Sequence, residues 1–170
     1  TADPRTRRVN MGQLLPMQSG LDPTSFGNYG EWVTSANWVR NALRRPFVDD
    51  PGGRMLYSTG STHVLSALLT RATGRSTLAF ARERLFEPMG ISLASWTRDP
   101  QGVYFGGNEM RLRPRDLLAF GELYRNAGRH EGRQLVPAAW IREAWQPRTS
   151  SPFNGHRYGL GWWMRESRGY

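Results

Sequence analysis

The 170-residue chain contains no cysteine and no lysine. The first absence excludes disulfides, a thiolate nucleophile and cysteine-ligated zinc. It leaves the compartment open. The second excludes a Ser-x-x-Lys nucleophile pair anywhere in the chain, and with it a Gly-Lys-Ser phosphate loop. No apolar run approaches the roughly 18 residues a membrane-spanning helix needs. The three histidines, His63, His130 and His156, are isolated. None has a partner at metal-ligand spacing and there is no His-Glu-x-x-His, so no structural metal is expected. No signal peptide is visible, and Thr1 is not an initiator methionine, so the natural N-terminus is expected to lie upstream or to have been removed.

What is present is arginine. All 23 basic residues are arginine, against 14 acidic ones, for a net charge of +9. Such a charge raises the question of nucleic acid. The arginines are spread along the chain and often sit beside carboxylates, as in Arg82-Glu83-Arg84 and Arg142-Glu143. No alternation of aromatic and basic residues offers a base-stacking platform. A solvated basic surface is the reading, with no nucleic-acid partner. A hydrophobic content of 38% and seven tryptophans predict one globular domain with a real core.

Cap and stop signals divide the chain mainly into helices. Residues 1–8 are polar and read as extended. Asn10 can cap a short helix over 11–15. Thr34 or Ser35 can cap one ending at Pro46, with Trp38, Val39 and Leu43 on one face. The clearest helix covers 61–73, where Val64, Leu65, Leu68, Leu69 and Ala72 recur at helical spacing and Gly74 suits the left-handed end. Ser76 caps a second helix carrying Leu78, Ala81, Leu85 and Phe86, stopped at Pro88. Residues 102–108 are glycine-rich and irregular. Pro114 opens a helix to about Asn126, with Leu117, Leu118, Phe120 and Leu123 expected inward. Arg133-Gln134-Leu135 reads as a short extended piece, and Val136-Pro137 opens a further helix with Ile141 and Trp145 four apart. From Tyr158 to Met164 large residues alternate with glycine and others at the two-residue period of a strand. That strand has no evident partner.

The segment with most chemical content is Pro51-Gly52-Gly53-Arg54-Met55-Leu56-Tyr57-Ser58-Thr59. A Pro-Gly-Gly turn leads into a short apolar approach, then a tyrosine beside small hydroxyl residues at the start of a helix. This is one way to hold a loop tyrosine at the mouth of a cleft. Ser58 is expected to satisfy local backbone groups. Thr59 could cap the helix or contact a ligand. Ser19 lacks the Gly-x-Ser-x-Gly elbow of a hydrolase nucleophile and reads as a turn residue. His63 and the pair Trp162-Trp163 read as structural.

Five segments, in order, resemble the middle of the serine β-lactamase-like hydrolases, a family that takes in class C β-lactamases, D-alanyl-D-alanine peptidases, esterases of the same fold and 6-aminohexanoate-dimer hydrolases. They are the stretch from Val9 through Leu14-Leu15 to Ser19-Gly20-Leu21; Pro51-Gly52 through Tyr57-Ser58-Thr59; Val64 through Leu85-Phe86-Glu87-Pro88-Met89-Gly90; Arg113-Pro114-Arg115-Asp116-Leu117-Leu118-Ala119-Phe120-Gly121; and Tyr158-Gly159-Leu160-Gly161-Trp162. The resemblance implies a mainly α chain: the helical domain of an α/β β-lactamase/transpeptidase-like fold over residues 1–157, with one C-terminal strand, 158–170, belonging to an α/β domain outside this chain.

The resemblance also implies an ester or amide hydrolase working through an acyl-serine. Tyr57 occupies the place of the family's catalytic tyrosine. Thr59 stands where many members place a substrate-binding Asn, and a hydroxyl lacks that amide's paired donor and acceptor. This departure weakens the expectation of β-lactamase activity and leaves esterase, amidase or peptidase activity open. No cofactor is implied. The expected partners are a small ester or amide substrate, the N- and C-terminal parts of the fold, and, through the helix faces that those parts would cover, further copies of the chain. The family is compatible with an exported or periplasmic protein. Alone, the chain is expected to be inactive. The alternative is a non-catalytic scaffold that keeps the fold for binding.

Overall fold

The computed structural model describes residues 3–165 and is built mainly from helices. Residues 4–8 form a single 3-10 turn rather than an extended stretch. The Asp3 carboxylate caps it, accepting the Arg5 N–H at 2.9 Å. Helix α1, Met11–Leu14, begins at Asn10, whose N–H donates to Gln13 Oε1 at 3.0 Å. Helix α2, Tyr29–Thr34, has no clear signal in the sequence. Thr34 and Ser35 do not start a helix. Their hydroxyls donate back to carbonyls of α2, with Ser35 Oγ 2.7 Å from the Trp32 oxygen. The cap of α3, Trp38–Arg44, is Asn37, which accepts the Arg40 N–H at 2.8 Å.

Helix α4, Thr59–Thr73, ends at Gly74 in the left-handed conformation, where a Cβ would be unfavourable. Helix α5, Thr77–Ala81, is capped by the Ser76 hydroxyl and runs through a π turn and a 3-10 turn to Gly90. Helix α6, Pro114–Arg125, starts with proline at its first position, and α7, Ala138–Ala144, follows Pro137. Among the described residues no helix is long and apolar enough to cross a membrane.

Among the described residues, strand structure is confined to short antiparallel pieces. Strand β1, Ser95–Trp96, pairs with β2, Met110–Arg111. Strand β3, Arg129–His130, pairs with β4, Arg133–Gln134. Strands β5, Thr149–Ser150, β6, Arg157–Tyr158, and β7, Trp163–Met164, form a three-stranded sheet in that order. The alternating segment from Tyr158 to Met164 is therefore not one strand without a partner. It folds back on itself at Gly159-Leu160-Gly161, where Gly161 takes a φ of 84° and the Gly159 N–H donates to the Trp162 oxygen at 2.9 Å. Residues 166–170 of the expected strand lie outside the described residues.

Among the described residues three packed groups make the core. Leu14, Trp32, Trp38, Ala42, Val64 and Phe105 join α1 to α4 with the 99–107 loop. Phe86, Met89, Ile91 and Leu123 join the end of the α5 segment to α6. Met17, Met55 and Tyr158 form a smaller group against which Tyr57 packs.

Two expected apolar stripes differ from the structure. On α4 the buried side carries Ser61, His63, Val64 and Ser66, whereas Leu68 and Ala72 are exposed. The polar members are satisfied: Ser66 Oγ donates to the Tyr104 oxygen at 2.6 Å and lies 2.7 Å from Thr77 Oγ1. On α6, Leu123 is fully buried but Leu117 and Leu118 face outward, at 60% and 66% exposure. Asp116 takes the buried side instead, held by Arg113 at 2.6 and 2.8 Å. A third expected apolar position, Leu43 on α3, is also exposed.

Candidate functional site

The approach to Tyr57 is pinned to the segment that follows α1. Gly52 N–H donates to the Gln18 oxygen and Leu56 N–H to the Met17 oxygen, both at 2.8 Å. Met17, nearly fully buried, takes a left-handed φ of 63° to run along this approach. The turn is closed by Asp49, which accepts the Arg54 N–H at 3.0 Å and the Asp50 N–H at 2.8 Å. Those backbone donors, Arg54's first, hold the Asp49 carboxyl below the usual carboxylate range.

Beyond Tyr57 the chain is pinned a second time. Ser58 Oγ accepts the Thr24 N–H at 3.2 Å, Gly60 N–H donates to Thr24 Oγ1 at 2.8 Å, and Thr59 N–H donates to Ser25 Oγ at 2.9 Å. Ser58 is thus the residue before α4 and satisfies a neighbouring backbone group. Thr59 is the first helical residue rather than the cap, and its hydroxyl lies 2.8 Å from Ser25 Oγ. Ser19 is buried and its Oγ accepts the Leu21 N–H at 3.3 Å, as befits a turn residue.

Tyr57 itself is half-buried between these anchors. Its ring meets Trp163 at 5.5 Å between centroids, Tyr158 at 6.3 Å and Phe26 at 6.4 Å. Among the described residues its hydroxyl has no hydrogen-bond partner. Tyr158 is deeply buried, and burial, with the nearby Tyr57 second, pushes its phenol well above the ordinary tyrosine range. Of the two tyrosines, Tyr158 stays a neutral phenol deep in the fold and Tyr57 is the more exposed.

One turn into α4, His63 is fully buried against Trp32, Trp38 and Phe105. Its Nε2 lies 2.9 Å from Asp99 Oδ2 and its Nδ1 accepts the Gly106 N–H at 3.4 Å. Burial lowers the imidazole from its ordinary value more strongly than Asp99 raises it. The neutral tautomer with its proton on Nε2 meets both bonds. Asp99 Oδ1 in turn accepts the N–H groups of Gln101 and Val103, each at 2.9 Å. This pair ties the glycine-rich loop to the start of α4. The loop comes so close that a Cβ on Gly106 would overlap the Thr62 carbonyl, and one on Gly107 would overlap the Thr59 methyl. Trp162 and Trp163 pack as expected: Trp162 on Phe120, Tyr124 and Trp145, Trp163 on Tyr57 and Tyr158.

The structure therefore brings Tyr57 and Thr59 together at the start of α4, as their adjacency requires. It adds Thr24, Ser25, Phe26, the Phe153 ring 5.3 Å from that of Phe26, and Asp99 behind His63, which sequence reasoning did not single out. Thr24 and Ser25 pair with residues 34–36 positions away. No local period marks such a contact. Only the run of small hydroxyl residues in both segments hinted at it.

A family model named Beta-lactamase matches residues 1–170. No curated protein matches the sequence significantly. Solved structures do match. A penicillin-binding protein homologue from Caulobacter crescentus superposes with a TM-score of 0.72 at 16% identity, over 94% of this chain and 56% of that one. A D-amino acid amidase from Ochrobactrum anthropi superposes with a TM-score of 0.68 at 16% identity, over 98% and 58%. The octameric penicillin-binding protein homologue from Pyrococcus abyssi gives 0.65 at 17% identity, over 94% and 46%. At these identities the likeness concerns the fold, and the chain spans about half the length of the structures it matches.

Proposed function

Since this chain belongs to the beta-lactamase family, we propose that it forms the tyrosine-bearing helical part of a serine-hydrolase site that cleaves an ester or amide through an acyl-serine. The observation that carries this is the setting of Tyr57. Its backbone is pinned on both sides by long-range hydrogen bonds, while its ring is only half-buried and its hydroxyl is free of partners among the described residues. A tyrosine held this firmly with its hydroxyl open suits proton transfer.

In this reading Tyr57 takes the proton from the attacking serine and returns it to the leaving group. A serine hydroxyl is a poor nucleophile until a neighbouring group accepts its proton, and general acid–base help of this kind contributes about 10²–10⁴-fold. Thr59, with Ser25 beside it, offers a hydroxyl to the substrate's polar acyl portion. The nucleophile comes from outside these 170 residues, because a chain without lysine cannot carry the family's Ser-x-x-Lys motif. A β-lactam, a peptide and a carboxylic ester all fit this chemistry.

The test is turnover of p-nitrophenyl acetate and of a chromogenic cephalosporin by the full-length polypeptide and by the 170-residue chain. Hydrolysis by the first and none by the second supports the reading. A full-length polypeptide that binds such compounds but turns over none of them supports the binding-scaffold reading instead.

A further inference from the structure

Phe26 is unusual on two counts. It is a large apolar residue at 68% exposure, and its backbone takes a left-handed φ of 57°. That conformation is disfavoured for any residue with a Cβ. Neither the strain nor the exposure is offset by burial of the ring in the core. The surroundings hold it there. On one side Thr24 and Ser25 are bonded to the start of α4. On the other, Asn28 Nδ2 donates to Asp22 Oδ2 at 3.1 Å and to the Pro23 oxygen at 3.0 Å. Strain maintained in this way is a mark of function.

The ring is presented, and it is not alone. Phe153, from the far end of the chain and 67% exposed, meets it edge to face at 5.3 Å between centroids. Phe26 also stands 6.4 Å from the Tyr57 ring and is the neighbour in sequence of Ser25, which bonds Thr59. Two exposed aromatic rings, brought together from distant segments, thus border Tyr57.

We infer that Phe26 and Phe153 form an aromatic lip that receives the apolar acyl group of the substrate and favours aryl acyl groups. The inference rests on the reading of Tyr57 as the reactive tyrosine. An aryl group would complete the edge-to-face arrangement that the two rings begin, with its carbonyl turned toward Tyr57 and Thr59. A short acyl group such as acetyl would leave the lip empty.

The experiment compares kcat/KM for p-nitrophenyl phenylacetate and p-nitrophenyl acetate, using the full-length polypeptide, Phe26→Gly and Phe153→Ala. Glycine accepts the left-handed backbone, so Phe26→Gly removes the ring while relieving strain. It should keep the melting temperature within a few degrees. The phenylacetate-to-acetate ratio should fall about fivefold or more in each variant, the scale of a lost aromatic pair. An unchanged ratio overturns the inference, as does an equal loss on both esters. So does a change of oligomeric state with the ratio intact, which would assign the pair to contacts between copies. If the unsubstituted polypeptide hydrolyses neither these esters nor the chromogenic cephalosporin, the hydrolase reading has failed. The lip is then read by saturation-transfer NMR with phenylacetamide. Binding lost in Phe26→Gly upholds it, and binding that is absent or indifferent to the substitution overturns it.

Discussion

The rings of Tyr57 and Tyr158 lie 6.3 Å apart at 81°, one half-buried and the other nearly inaccessible. This inequality separates their roles. Tyr57→Phe removes only a hydroxyl with no partner among the described residues. It should leave the melting temperature of the full-length polypeptide unchanged and lower kcat/KM about 10²–10⁴-fold. Tyr158→Phe should leave kcat/KM within a few-fold, because its phenol is held neutral by burial. Steady-state kinetics beside thermal melts distinguish these outcomes. Equal losses in the two variants would mean that the rings act by packing alone.

The same burial gives an alkaline limit. A phenol held protonated in the fold but free to ionise near pH 10 when unfolded favours the unfolded chain once pH exceeds that value. Stability should decline as pH rises above about 10, and Tyr158→Phe should lessen the decline. Urea titrations at pH 8 and pH 10.5 measure it.

His63 and Asp99 set an acid limit of the opposite sign. The folded imidazole is lowered by burial, so as pH falls the unfolded chain binds a proton that the fold does not. Stability should be complete above about pH 6.5 and fall below it. Thermal melts between pH 7 and 5 should show this, with a shallower slope in His63→Gln. His63→Ala leaves the Asp99 Oδ2 without its hydrogen-bond donor and should destabilise by about 1–3 kcal/mol.

Gly107 separates the loop from Thr59 by less than a methyl group's width. Gly107→Ala should therefore destabilise by about 1–3 kcal/mol, as overpacking does. By displacing Thr59 it should also raise KM in the full-length polypeptide. An alanine variant with native stability and native KM would show that the loop does not fix Thr59.

Leu117 and Leu118 leave adjacent apolar side chains on the outer face of α6. The 170-residue chain should self-associate through such faces, giving dimers or larger species by light scattering at micromolar concentration. Leu117→Glu with Leu118→Glu should shift it toward monomer. A monomer before substitution would contradict the expectation.

Much of the helical layout is legible in the sequence because its signals are local. Asn10, Ser76, Pro114 and the Gly74 end each act within one turn of the helix they bound. Which face a helix buries is not local. Leu68, Leu117 and Leu118 fit an inward stripe by spacing, but His63, Ser66 and Asp116 take the buried side because partners satisfy them: Asp99 and the Tyr104 carbonyl from other segments for the first two, and Arg113 at the start of its own helix for Asp116. The strand signal from Tyr158 to Met164 misleads for a related reason. Alternation also arises when glycines punctuate a hairpin. In the candidate site, Tyr57 and Thr59 are readable from a contiguous motif. Thr24, Ser25, Asp99 and Phe153 reach it only through contacts across the fold.

The central claim is that this chain carries the tyrosine side of a hydrolase site and not its nucleophile. Incubation of the 170-residue chain with a fluorophosphonate and with a penicillin, followed by intact-mass measurement, tests it most directly. The account predicts no adduct on the chain and one adduct on the full-length polypeptide. A stoichiometric adduct on a serine within the 170 residues would contradict it.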